Sequence, residues 1–168
     1  MPLSMYQAAV PTIIRALENL AAVLDKAMQQ ADARKFPAEG YINARLYPDM
    51  FPLAKQVQIA SDISKGGCSR LAQVEPPSYE DNETTFPQLI ERARKTAEYL
   101  KSLKPEQFEG SERRTVTWKT RSGERSMQGQ PYLFNHVLPN VFFHCATAYD
   151  ILRHNGIELG KQDFLGKP

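Results

Sequence analysis

The polar side chains most suggestive of a site lie in the last apolar stretch of the chain. His136, Asn140 and His144 stand four residues apart, so an α-helix would place them on one face, with neighbours about 6 Å apart along the axis. The two histidines would then be about 12 Å apart, which is too far for both to bind one metal ion. Asn140 and His144 can converge on one point, where they could bind a ligand or contribute to a metal site.

A second polar group lies in an earlier apolar stretch, where Gln58, Asp62 and Lys65 fall on successive helical turns. Helix bundles build their sites from inward-pointing side chains of facing helices, and buried polar groups without partners cost free energy. We therefore predict a polar pocket between the two stretches, with Arg45 and Asp49 in the preceding loop covering its mouth. The predicted ligand-binding residues are Gln58, Asp62, Lys65, His136, Asn140 and His144.

Ordinary structural roles are open for the same residues. A histidine on an apolar helix face is often a core residue whose hydrogen bonds are satisfied, and Asp62 could simply pair with Lys65 on the helix surface. His144 could also act as a general base without a metal if Asp62 held its ring in one tautomer. Cys145 does not form a dyad with His144 by adjacency, because successive residues point about 100° apart around a helix.

Four stretches with apolar residues at helical spacing predict the helices that would hold these side chains. They cover residues 4–33, 52–71, 85–103 and 131–154. The loop between the first two stretches is long, so helices that follow each other in the sequence need not be neighbours in the bundle.

Individual residues indicate where these helices begin, approach a neighbour or bend. Thr85 opens a capping-box sequence at the start of the third helix, and Pro11 either kinks the first helix or marks its start. Small residues in the second helix, Gly66 and Gly67 among them, indicate close approach of another helix. Pro139 predicts a kink in the last helix, because proline cannot donate to the carbonyl four residues earlier.

Residues 113–128 change the pattern to one that predicts a short β-hairpin. Val116 and Trp118 alternate with polar residues, and Ser122 precedes a glycine at a turn signal. An isolated hairpin is only marginally stable, so we expect Val116, Trp118 and Met127 to pack on a helix. The predicted fold is all-α: a single four-helix bundle spanning residues 1–168, with a short β-hairpin before the last helix.

The composition is that of an ordinary globular protein. The 168 residues are 42% hydrophobic and 24% charged, which excludes a disordered chain, a collagen-like chain and a disulfide scaffold. The net charge of +2, from 21 basic and 19 acidic residues, gives no strong field toward nucleic acid or anionic lipid. No secretory signal and no run of about 18 apolar residues is evident. We expect a cytoplasmic protein whose two cysteines, Cys68 and Cys145, are reduced and buried.

The sequence resembles the DinB-like (DinB/YfiT) four-helix-bundle superfamily. The resemblance lies above all in LFNHVLPNVFFH at 133–144, followed by AYDILRHNG at 148–156. Segments 43–53, 56–62 and 160–166 are similar to one branch of that superfamily, a domain-of-unknown-function family. The resemblance implies the four-helix bundle and divalent-metal binding by two histidines of the last helix and one of the second helix. In some members it also implies thiol-dependent transferase or isomerase chemistry.

This chain departs from that ligand pattern at two of three positions. His144 matches the second histidine of the last helix, whereas Asn140 stands at the first position and the second-helix position falls at about Gln58. An amide oxygen is a poor ligand for zinc or nickel compared with imidazole or carboxylate. Asp62 could substitute one turn along the second helix, which would give His144, Asn140 and Asp62 as the metal ligands.

Two functions follow as hypotheses. The first is a polar pocket that binds a small molecule without a tightly held metal cofactor. The alternative is a transferase or hydrolase that depends on a divalent metal such as zinc or nickel and that could also use a thiol substrate or cofactor. His144 would be the strongest ligand of that metal. A metal would lower the pKa of bound water or of a thiol and so generate a nucleophile near neutral pH.

Two surfaces raise the question of partners. Trp118 could stack on a base, but we expect it to anchor the hairpin, and we expect neither nucleic acid nor membrane as a partner. The basic residues of the hairpin are Arg113, Arg114, Lys119, Arg121 and Arg125. The apolar face of the last helix is wide enough to predict a homodimer. Its residues are Phe134, Val137, Val141, Phe142, Phe143, Ala148, Ile151 and Leu152.

Overall fold

Four long amphipathic helices and a β-hairpin make up the protein, as the sequence predicts. The computed structural model describes residues 3–120 and 122–167. In chain order the helices are α1 (Met5–Ala33), α2 (Ala38–Ile42), α3 (Leu53–Ala72), α4 (Phe86–Lys101), α5 (Gly129–Tyr132), α6 (Leu138–His154) and α7 (Lys161–Leu165), and the strands are β1 (Thr115–Thr120) and β2 (Gly123–Gln128). A 3-10 turn covers Pro105–Phe108 and a π-helical turn covers Leu133–Val137.

The long helices form a bundle in which α1 and α3 are diagonal. Helix α1 packs against α4 and α6, and α3 packs against the same two helices. The long connection between α1 and α3 permits this arrangement, as expected. It also contains the short helix α2, which the sequence pattern did not predict because five residues are too few to show helical periodicity.

Local sequence signals set the helix starts. Ser4 and Thr85 cap α1 and α4, and each forms a capping box with the glutamine three residues later. Pro11 lies inside α1 and does not mark its start. The early start follows from the Ser4 cap, which supplies a partner for a backbone N–H group of the first turn.

The last helical stretch widens just before Pro139. The Leu138 N–H group donates to the carbonyl of Leu133, five residues earlier, within the π-helical turn Leu133–Val137. Pro139 has no N–H group, and its ring would clash with the carbonyl of Asn135 in a regular helix. The π-helical turn relieves that conflict at the place where the sequence predicts a kink.

The hairpin rests on the bundle through one strand. Strands β1 and β2 pair antiparallel, with Val116 opposite Met127. Val116 and Trp118 are buried, but Met127 is 38% exposed, so the expectation that Met127 packs on a helix was wrong. All residues of β2 are exposed, and the buried residues of the hairpin strands lie in β1. Arg121 of the predicted basic cluster lies outside the described residues.

Most of the apolar face of the last helical stretch belongs to the core. Val137, Val141, Ala148, Ile151 and Leu152 are fully buried. The phenylalanines of this stretch are exposed by 40–57%: Phe134, Phe142 and Phe143. The homodimer stays a prediction. In the described part of the chain, no helix has both the length and the apolar character that crossing a bilayer requires.

Close packing between α3 and the π-helical turn depends on the absence of a side chain at Gly67. A Cβ atom at Gly67 would lie 2.6 Å from one methyl carbon of Val137 and 2.9 Å from the other. A Cβ atom at Gly66 would instead meet the guanidinium tip of Arg70 at 2.8 Å. The tip of a flexible side chain can move aside, whereas a buried valine cannot.

We expect Gly67→Ala to lower the free energy of unfolding by up to about 2 kcal/mol. Overpacking costs about 1–3 kcal/mol, and the better helix propensity of alanine offsets about 1 kcal/mol of that. The matched variant Gly66→Ala should be neutral or slightly stabilising. Urea denaturation of both variants tests this, and equal stabilities would contradict the close approach at Gly67.

Candidate functional site

The hydrogen bonds of the predicted site residues divide them among three places in the bundle. His144 bonds across the α3–α6 contact, whereas Gln58 and Asp62 bond to the α4 side of α3. His136 packs under the hairpin. The expectation that Gln58 and Asp62 face His144 was therefore wrong, although a binding role for each residue stays a prediction.

His144 forms its hydrogen bond with Gln56, a residue that the sequence interpretation did not select. The Nδ1 atom of His144 lies 2.7 Å from Oε1 of Gln56. The Nε2 atom of Gln56 donates to the backbone carbonyl of Phe51 at 3.0 Å. Because a carbonyl only accepts, the amide NH2 group must face Phe51 and the amide oxygen must face the imidazole ring.

This chain of two hydrogen bonds fixes the tautomer of His144. An amide oxygen cannot donate, so Nδ1 of His144 carries the proton. Burial lowers the pKa of His144 below its ordinary value of 6.5, which keeps the ring neutral at neutral pH. The lone pair is then on Nε2. Gln56 thus has the orienting role that the sequence interpretation gave to Asp62, and Nε2 of His144 can accept a hydrogen bond or a proton.

Helical spacing from Gly67 identifies Gln56 once the packing partner of that glycine is known. Gln56 and Gly67 are eleven residues apart, close to three full helical turns, so they share one face of α3. Gln58 points about 200° away from Gln56. Since Gly67 meets Val137 in the last helical stretch, the face of small residues is the one that meets α6, and it includes Gln56.

Asp62 belongs to an ionic cluster around the buried guanidinium of Arg92. Arg92 is only 3% exposed, and its nitrogens lie 2.9 Å from Asp62, 3.0 Å from Asp81 and 2.8 Å from Glu83. It also donates to the backbone carbonyl of Glu80 at 2.9 Å. Three of these partners lie between α3 and α4, so the cluster ties that connecting segment to the bundle.

Gln58 and Lys65 complete the same cluster. Gln58 donates to Glu83 at 2.9 Å. Lys65 pairs with Asp62 at 2.9 Å, which is the ordinary structural role that the sequence left open for this pair. The Nζ atom of Lys65 also lies 5.0 Å from the centre of the Tyr79 ring. The amide nitrogen of Gln58 and the ammonium group of Lys65 thus have partners within the chain.

His136 and Asn140 have local partners. The His136 ring lies 4.7 Å from that of Trp118 and is stacked on that of Tyr132 at 5.4 Å. Burial, followed by the charges of Arg70 and Arg125, lowers the pKa of His136. Asn140 donates from its side chain to the backbone carbonyl of His136 at 2.6 Å. Trp118 is 8% exposed, so it anchors the hairpin, as expected.

Arg45 contacts its own loop. Its Nη1 atom donates to the carbonyls of Pro48 and Met50 at 3.4 and 3.3 Å. Asp49 lies in the same loop and is exposed. Their role at a pocket mouth stays a prediction.

The side chains near His144 do not fit a tightly bound zinc or nickel ion. Zinc sites take at least three protein ligands, usually imidazole, thiolate or carboxylate. Across residues 3–120 and 122–167, no group of three or more such side chains could hold a metal ion. Asp62 is paired with Arg92, and both amide atoms of Gln56 are already bonded. Within this neighbourhood His144 offers one nitrogen.

The cysteines are free and buried, as predicted. Burial raises the pKa of Cys68 and of Cys145 to about 12. Both therefore remain thiols at neutral pH, and a thiol is a much weaker nucleophile and metal ligand than a thiolate.

Residues 5–165 match the family described as Domain of unknown function (DUF1993). The chain belongs to this family. The DUF1993 chain is also similar to the crystal structure of a DinB family member protein from Shewanella denitrificans, with a TM-score of 0.91 and 37% sequence identity. That match covers 98% of this chain and 93% of the other. No curated protein matches the chain. The resemblance to a DinB-like family of unknown function is thereby confirmed.

The lowered pKa of His144 predicts a pH-dependent stability. A histidine whose pKa is lower in the folded than in the unfolded protein favours the folded state only when neutral. The contribution of His144 to the free energy of unfolding should be highest above pH 6.5, the ordinary histidine pKa, fall as the pH drops from 6.5 toward the lower pKa of the folded protein, and level off below that pKa. His144→Gln should reduce this fall. An NMR titration measures the His144 pKa directly, and a value at or above 6.5 would contradict the prediction.

Removing the Arg92 guanidinium should destabilise the fold. Breaking a buried ion pair costs about 3–5 kcal/mol, and the partial exposure of Asp62 and Asp81 reduces this through solvent screening. We therefore expect Arg92→Met to lower the free energy of unfolding by about 2–4 kcal/mol. Arg94→Met, at an exposed position of the same helix, should change it by less than about 0.5 kcal/mol. Denaturant unfolding compares the two variants, and equal losses would refute the anchoring role of Arg92.

Proposed function

We propose that this DUF1993 protein binds a small organic molecule at the α3–α6 contact, without a tightly held metal. His144 accepts a hydrogen bond from the ligand at Nε2. The observation that carries the proposal is the chain of hydrogen bonds from Phe51 through Gln56 to His144. In this chain the buried amide of Gln56 holds the neutral imidazole of His144 in one tautomer. The Nε2 atom of His144 is then left to accept a hydrogen bond from a ligand.

The exposed aromatic side chains at this place indicate the chemistry of the ligand. Phe143 is 57% exposed, and its ring lies edge-on to His144 with centroids 5.2 Å apart. Phe51 is 44% exposed, and its carbonyl holds Gln56. Aromatic rings favour flat or apolar partners. The ligand therefore combines a hydroxyl or N–H donor with an aromatic or aliphatic body.

The metal-dependent alternative has less support from the same geometry. A metal-bound imidazole also orients through its second nitrogen, so the Gln56 bond by itself suits either function. The remaining side chains favour the metal-free function, because the amide of Gln56 is fully bonded and Asp62 is held by Arg92. Zinc or nickel bound in a 1:1 ratio by untagged protein would overturn the metal-free proposal.

We expect phenol to bind beside His144 and toluene to leave it unaffected. The two molecules have nearly the same shape, but only phenol can donate a hydrogen bond to Nε2. In protein with ¹⁵N-labelled histidine, phenol should shift the Nε2 resonance of His144 in a saturable way. A missing shift, or an equal shift with toluene, would contradict the proposed acceptor role.

Substitution of Gln56 tests the orienting hydrogen bond. Gln56→Leu removes the acceptor for Nδ1, so the His144 ring should populate both tautomers. The phenol affinity should then fall by about 10-fold, which corresponds to the free energy that one hydrogen bond contributes. Gln58→Leu changes a buried glutamine on the other face of α3 and serves as the matched control. The ¹⁵N shifts of His144 report the tautomer in each variant. Loss of binding in both variants alike would show that Gln56 has no specific role.

A further inference from the structure

A cavity lies on the side of α6 that faces away from α3. It is bounded by α1, α6 and α7 and has a volume of about 250 Å³. Leu20 and Val23 of α1, Phe142 and Cys145 of α6, and Phe164 of α7 line it. The wall is thus mainly hydrocarbon, aromatic rings and one sulfur atom.

Two of the polar side chains at the cavity, Arg15 and Asn19, hold the C-terminal segment. Arg15 donates to the backbone carbonyls of Leu165 and Lys167, each at 3.1 Å. Asn19 donates to the carbonyl of Phe164 at 3.1 Å. These bonds fix α7 as one wall of the cavity. They also engage the guanidinium of Arg15, the charged group of the lining, and the other polar lining residues, Thr12 and Tyr149, carry neutral hydroxyl groups.

We propose that this cavity is a binding site for a neutral, largely apolar aromatic molecule of about ten non-hydrogen atoms. A dry apolar cavity of about 150 Å³ admits benzene, and a volume of about 250 Å³ scales to a substituted or bicyclic ring. Binding is reversible and non-covalent. Cys145 meets the ligand as an uncharged thiol, because burial raises its pKa to about 12.

This site is independent of the one at His144. Phe142, Cys145 and Tyr149 are three and four residues apart, so they form one face of α6 toward α1. His144 instead bonds to Gln56 on α3. A molecule in the cavity does not need the Nε2 acceptor, so either proposal can fail without the other.

Titration with 1-methylindole tests the cavity, because this molecule has ten non-hydrogen atoms and no hydrogen-bond donor for His144. In methyl-labelled protein, the resonances of Leu20 and Val23 should shift in a saturable way. Those of Val57, beside Gln56, should not. Shifts confined to Val57, or none at all, would overturn the proposal without the use of any variant.

Filling the cavity should abolish binding of 1-methylindole. Ala16 lines the cavity and is partly buried, so Ala16→Phe places a ring in the space. Ala54→Phe, at a partly buried helical alanine outside the lining, is the matched control. Calorimetry should show binding to the wild type and to Ala54→Phe only. Equal affinity in Ala16→Phe, or tighter binding of 1-methylindole-3-carboxylate than of 1-methylindole, would overturn the site or its neutral ligand class.

Discussion

The close contact between α3 and the last helical stretch determines the arrangement of the polar side chains. Gly67 lies against Val137 with no room for a Cβ atom, which fixes the rotation of α3 about its own axis. Once that face is turned toward α6, helical geometry places Gln56 beside His144 and turns Gln58 toward the segment held by Arg92. Two buried polar groups therefore form on opposite sides of one helix. One orients an imidazole, and the other anchors a connection.

The fold was predictable because its signals are local, whereas the site depends on how helices rotate against each other. The Thr85 cap and the glycine at the start of β2 are encoded within a few residues, and both appear in the structure. Gln56 and Gln58 have the same chemistry, so only the packing partner of α3 distinguishes them. Met127 was misassigned for a similar reason: strand alternation identifies a face but not which strand of a hairpin lies outermost.

The side chain that lies beside His144 is an amide, on a scaffold that resembles that of a DinB family member. The chain keeps the bundle of a DinB family member over 98% of its length, yet function resides in the side chains that a fold carries. An amide coordinates zinc poorly, but it can accept from Nδ1 and donate to a carbonyl at the same time. Gln56 uses both abilities, which suits an imidazole that works through a hydrogen bond or a proton.

The π-helical turn before Pro139 explains why one predicted row of polar residues serves two places. In a regular helix His136 and His144 would lie on broadly the same side. A turn with bonds between residues five apart inserts an extra residue and rotates everything before it relative to α6. His136 accordingly packs with Trp118 under the hairpin, while His144 reaches Gln56. Asn140, three residues after the turn, donates to the carbonyl of His136. Its amide thereby supports the distorted backbone, which is a structural reason for asparagine at this position.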